Sequence, residues 1–239
     1  MRWNYTGAIA LAIVFSASRP SSAATIFIGS GNNPEVSANA SGSASFSIAG
    51  NTLTVVLKNL TSPRTTAQGN AMTGVAFDVN SASPVLAFTN TARSPGSVIW
   101  TSETSSNTSD PLAGSWTSVL GASPLAAYGV ATTGFNGRFN GGSISLGNAS
   151  PNYGIVAANT FDGTNVVFGG SQFRFIQDSM TFTFTGVTGI SESQIKNVKL
   201  LFGTDGTGVV TGNLVPEPGS FVLWSLACAS AIWARGRKS

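Results

Sequence analysis

From residue 43 to residue 202 the chain repeatedly alternates small polar side chains with apolar or aromatic ones. In 179–185 (SMTFTFT), Met180, Phe182 and Phe184 fall on one face of an extended segment, and Thr181, Thr183 and Thr185 on the other. That two-residue period is how a half-buried antiparallel strand presents a core face and a wet face. The same reading predicts strands at 43–48 (SASFSI), 52–57 (TLTVVL), 73–79 (TGVAFDV), 143–146 (SISL), 165–168 (NVVF) and 172–176 (QFRFI). Gly50-Asn51 between the first two predicts a tight hairpin. One helical turn is expected at 191–195, where Ser191 caps and Glu192 occupies the first turn, leading into 196–202 (KNVKLLF) as a final strand. Residues 102–142 are dense in breakers and read as long loops on one rim. No repeat period supports a β-solenoid, and no linker splits the chain. The expected fold is all-β: a single antiparallel β-sandwich, jelly-roll-like, over residues 25–214.

Both ends break this pattern. Arg2 precedes an apolar run at 8–17 (AIALAIVFSA), followed by Ser21, Ser22, Ala23 and Ala24. A charged start, a short apolar centre and a small-residue exit define a signal peptide over 1–24, cleaved after Ala24 by signal peptidase. An uncleaved anchor or a buried helix fits that order less well. At the other end, Val215, Pro216, Glu217 and Pro218 precede an uncharged run at 221–234 (FVLWSLACASAIWA), and Arg235, Arg237 and Lys238 follow within the basic tail 235–239. A transmembrane helix over 219–234 would be about 24 Å long, a marginal span of a hydrocarbon layer about 30 Å thick. The basic tail then stays cytoplasmic, and everything upstream lies outside the inner membrane. A core helix with a solvated basic end is the competing reading, and a lipid-anchor signal would lack the cations.

Motif, apolar helix and basic cluster in this order resemble the PEP-CTERM sorting signal of bacterial exported proteins, with Pro216, Glu217 and Pro218 in the place of the Pro-Glu-Pro motif. The resemblance implies processing near the motif by exosortase, a membrane-embedded cysteine transpeptidase-like enzyme, after export through the secretion translocon. It further implies an inner-membrane-anchored precursor in a Gram-negative bacterium, then a cell-surface or extracellular product associated with exopolysaccharide and biofilm. The same tail carries an "ice-binding protein C-terminal domain" label, which describes the tail and not the domain before it. Segments 71–79 (AMTGVAFDV), 153–155 (YGI), 176–179 (IQDS) and 190–204 (ISESQIKNVKLLFGT) also resemble a group of PEP-CTERM surface proteins of similar length. No activity comes with that likeness.

Composition narrows the chemistry further. Gly, Ser, Thr and Asn supply 104 of the 239 residues, and charged residues only 9%, which excludes coiled coils, charged bundles and charged disordered tails. The 42% of hydrophobic residues still provides a core. No His and one Cys exclude His-based triads, the usual zinc and iron ligand sets and any intramolecular disulfide. Cys228 falls in the tail run and reads as a small apolar residue. The formal charge is +3, but residues 25–216 hold 7 basic and 8 acidic side chains, so the basic character belongs to the ends and no nucleic-acid partner is expected.

Asp78, Glu103, Asp110, Asp162, Asp178, Glu192 and Asp205 are the acids that a glycosidase pair would draw on. Nothing in the sequence pairs them, and turn and cap roles account for them, so no catalytic residue is assigned and no enzyme is expected. Calcium is the one metal the composition admits, yet 162–165 (DGTN) and 205–208 (DGTG) lack the dense acid spacing of an EF-hand, so no metal or cofactor is assigned. Trp100 and Trp116, with Tyr128, Phe135, Phe139 and Tyr153 nearby, are candidate glycan contacts if exposed; core packing is the commoner fate of such rings. The threonine face of 179–185 alone is one strand, not the two-dimensional array of an ice-binding ladder. The expected function is a structural or adhesive surface protein of the exopolysaccharide matrix. A carbohydrate-binding module is the main alternative, and a secreted glycoside-active enzyme with two converging carboxylates the third reading.

Overall fold

The computed structural model describes residues 24–81, 85–101, 106–107, 116–120, 125–132, 153–158, 174–204 and 206–216. Residues 1–23 of the leader, the tail from Glu217 onward, the strands expected at 143–146 and 165–168 and the first two residues of the one expected at 172–176 lie outside the described residues. Within them the chain is all-β, as the alternation predicts, and no helix there is long and apolar enough to cross a membrane.

Strands β1 (Thr25–Asn33), β2 (Ala38–Ala49) and β3 (Thr52–Asn59) form an antiparallel meander. In β2, Ala40, Ala44 and Phe46 are fully buried, while Ser41, Ser43, Ser45 and Ser47 alternate with them on the outer face. The β2–β3 hairpin turns through Gly50 at φ +60°, a left-handed conformation that glycine adopts without Cβ strain. Asn51 holds the neighbouring turn, its Oδ1 accepting from the Gly186 amide at 3.1 Å and the Thr188 hydroxyl at 2.8 Å.

β12 (Ser179–Thr185) pairs with β3 along its whole length and, on its other side, with β5 (Ala87–Arg93). β15 (Asn213–Val215) closes the opposite edge by pairing with β1, giving the order β15-β1-β2-β3-β12-β5. The second sheet is centred on β4 (Met72–Val79) and β13 (Ile195–Phe202), with β14 (Gly208–Thr211) outside β13. Beyond β4 lie β10 (Gly154–Val156), β11 (Phe175–Gln177), β6 (Ile99–Trp100) and β7 (Ser106–Asn107). A hairpin of β8 (Thr117–Leu120) and β9 (Tyr128–Ala131) joins the sheet through β9 and β4.

The inner faces of the two sheets share one core. Phe46 of the first sheet meets Phe77 of the second edge-on at 5.1 Å between ring centroids, and Phe77 meets Phe184 of the first at 6.0 Å. Such edge-to-face pairs add to the area each ring buries. Because the chain has few charges, neutral side chains supply most of the bonds beyond the ladders: within the second sheet the Thr73 hydroxyl of β4 donates to Gly203 O, just past β13, at 2.6 Å, and the Thr65 hydroxyl of the β3–β4 connection accepts from the Ala157 amide, just past β10, at 2.9 Å.

Three expectations change. Residues 102–142, expected as long loops on one rim, contain β7, β8 and β9. β10 and β11 run parallel, so the second sheet is not purely antiparallel. The strand at 196–202 is not the last, since β14 and β15 follow it. The expected turn is a 3-10 helix, Glu192–Gln194, with the Ser191 amide donating to Gln194 Oε1 at 2.9 Å.

Candidate functional site

The two junctions that sequence reasoning assigns to export lie at one edge of the first sheet. β1 begins at Thr25, immediately after the expected cleavage residue Ala24, and β15 ends at Val215, where the expected sorting motif starts. The strands are antiparallel, with Ile26 opposite Val215, Phe27 opposite Leu214 and Ile28 opposite Asn213. Cα atoms so paired lie about 5 Å apart, so the two junctions are side by side although 190 positions separate them. Val215 belongs to the edge strand as well as to the motif, one residue beyond the expected end of the domain at 214. Pro216 follows it without regular structure; Glu217, Pro218, Arg235, Arg237 and Lys238 lie outside the described residues.

The corner is unusually apolar for a surface. Leu214 is 57% exposed, Ile28 40%, Ile26 38% and Val215 37%. Beside it runs a groove of about 400 Å³ whose lining includes Phe27, Ile195, Lys196, Leu214, Val215 and Pro216. The groove's far wall is held by Glu192, whose Oε1 accepts from the Ile48 amide at 2.7 Å and so ties the 3-10 turn to β2.

The two candidate glycan contacts separate. Trp116 is 3% exposed, packs at a tilt of 52° on Phe182 with 4.8 Å between centroids and donates from Nε1 to Tyr153 O at 3.2 Å. It is a core residue and offers no face to a sugar, which corrects its place among the glycan candidates; the hydrophobic ring prefers the inter-sheet space its loop reaches. Trp100 is half-buried in β6 and donates from Nε1 to Gln177 Oε1 at 3.2 Å. Tyr128, partly buried, packs against the edge of the core, its ring 6.1 Å from that of Phe77. Burial first, and the charge of Asp78 second, raise its phenol above the ordinary value. Phe135 and Phe139 lie outside the described residues.

The described acids serve the framework. Asp78 accepts from the Ala127 amide at 2.7 Å and from Asn197 Nδ2 at 2.9 Å, and Glu35 from the Thr204 amide at 2.8 Å. Asp178 pairs with Lys58 at 2.9 Å. Glu103, Asp110, Asp162 and Asp205 lie outside the described residues, and among those described no three potential metal ligands converge. The threonine face is wider than one strand: Thr183 pairs with Thr54 and Thr185 with Thr52, and Ser47 lies opposite Thr54 on the far side. Comparison with family models, with curated proteins and with solved structures finds no match.

Proposed function

We propose that this is an exported bacterial protein whose β-domain is delivered to the cell surface or the extracellular matrix by two disposable ends. The leader 1–24 directs export, the helix 219–234 anchors the precursor in the inner membrane, and exosortase processes the chain near Pro216-Glu217-Pro218. The delivered domain has a structural or adhesive role in the exopolysaccharide matrix. The observation that supports this most is the pairing of Ile26 with Val215. Both junctions leave the same edge of the fold, so both ends reach one membrane without crossing the domain, and cutting either leaves the two-sheet core intact.

Half-buried Trp100 at a strand end keeps a second reading open, in which the released domain binds a polysaccharide. Replacing Pro216, Glu217 and Pro218 by alanine in the native host tests the first reading. Export is expected to continue while an unprocessed, membrane-bound precursor accumulates. Normal processing of that variant refutes the role given to the motif.

A further inference from the structure

We infer that the β1/β15 corner is a bilayer-docking surface, on which Ile26, Ile28, Leu214 and Val215 sit in the headgroup interface of the membrane that holds the precursor. The inference rests on the proposed membrane-spanning tail. Among the described residues, five large hydrophobic side chains are exposed, and four of them are these; the fifth, Val85, stands apart. A patch of that kind on a soluble face marks an interaction surface rather than ordinary scatter.

Tether length decides what covers it. Only residues 216–218 separate the end of β15 from the expected helix start at Gly219, a distance of at most about 14 Å when fully extended. β1 alone is about 27 Å long. The domain is therefore longer than its leash, and the end of β1 that carries Ile26 and Ile28 must face the lipid. Ile26 and Ile28 share the outer face of the sheet with Val215, while Leu214 projects from the opposite side toward the groove, so the strand pair presents an apolar tip. Lys196, exposed on the groove, adds a cation at the level of anionic headgroups.

The test uses the full chain, with Cys228→Ser, in vesicles of phosphatidylethanolamine and phosphatidylglycerol containing brominated lipid. A fluorophore is placed at Asn213→Cys, which leaves all four apolar side chains in position, or at Asn32→Cys, on the same face of β1 as Ile26 and about 20 Å from it. Vesicle-bound protein quenched several-fold more at position 213 than at 32 supports the inference. Loss of that difference in Ile26→Ser/Ile28→Ser/Leu214→Ser, with circular dichroism retained, supports it further; the comparison of the two probes stands without this variant. Equal quenching in vesicle-bound protein overturns the inference and leaves the anchoring tail standing. Energy transfer between copies at 213 without lipid quenching overturns it in favour of self-association. Protein that does not float with the vesicles overturns both the inference and the anchoring tail.

Discussion

Replacing Asn59 by alanine removes three hydrogen bonds at one buried point. Its Nδ2 donates to Ile155 O at 2.7 Å and Asn70 O at 2.9 Å, and its Oδ1 accepts from the Thr61 amide at 2.9 Å. The residue is 1% exposed and ends β3 in one sheet, while Ile155 lies in β10 of the other, so the amide group ties the layers together. Each buried group left without a partner costs about 1–3 kcal/mol. Water entering the vacated space re-satisfies part of the set, which places the expected loss at about 3–5 kcal/mol. With a urea slope of about 2 kcal/mol/M, the unfolding midpoint falls by about 2 M at unchanged slope. Asn59→Asp keeps the acceptor for Thr61 but sets a carboxylate against two carbonyl oxygens. It is expected to cost at least as much at neutral pH and to recover partly on acidification, when the protonated group donates one bond. A loss below about 1 kcal/mol in Asn59→Ala would refute the view that neutral side-chain bonds hold the two sheets in register.

Three further outcomes are expected. Trp116→Ala should cost about 3–5 kcal/mol through the cavity it leaves, and Trp100→Ala less than half of that; equal losses in urea titrations would contradict their different burial. Lys58→Ala should cost about 1–3 kcal/mol, because both side chains of its ion pair reach solvent in part, 45% for Lys58 and 29% for Asp178, but the Asp178 Oδ1 that the ammonium meets at 2.9 Å is itself buried and would be left without a partner; no measurable loss by urea unfolding counts against this. The raised phenol of Tyr128 means that the folded state holds that proton more tightly than the unfolded chain. This contribution is complete below about pH 10 and is lost as pH rises through the raised folded value, so Tyr128→Phe should flatten the alkaline fall in stability; an unchanged profile between pH 9 and 12 speaks against it.

Alternation was enough to locate β2, β3 and β12, because each has one face in the core and an outer face rich in Ser, Thr or Lys. By contrast β4, buried along almost its whole length, and β13, which ends in Leu200, Leu201 and Phe202, were legible from their apolar and β-branched content. β1 escaped because Gly29, Ser30 and Gly31 dilute it and because Ile26 and Ile28 sit on its outer face, against the usual sense of the pattern. β15 escaped because three residues carry no period, and Val215 had been claimed by the motif. In the breaker-rich stretch, β8 and β9 are four residues each and take their stability from pairing with one another and with β4, which local propensity does not report. Trp116 looked like a rim residue for the same reason: its loop neighbours are polar, but β8 carries it into the space over Phe182. The corner was invisible from sequence altogether, since only the pairing of β1 with β15 joins residues so far apart. What was legible of export lies in the order of residue types at the two ends, which needs no fold to be read.

Intact-mass measurement of the protein recovered from native-host membrane and extracellular fractions tests the central claim most directly. The account predicts an extracellular species that begins near Thr25 and ends between Val215 and Pro218, beside a heavier membrane-bound precursor. A product that retains residues 219–239 in every fraction of an exosortase-competent host would contradict it.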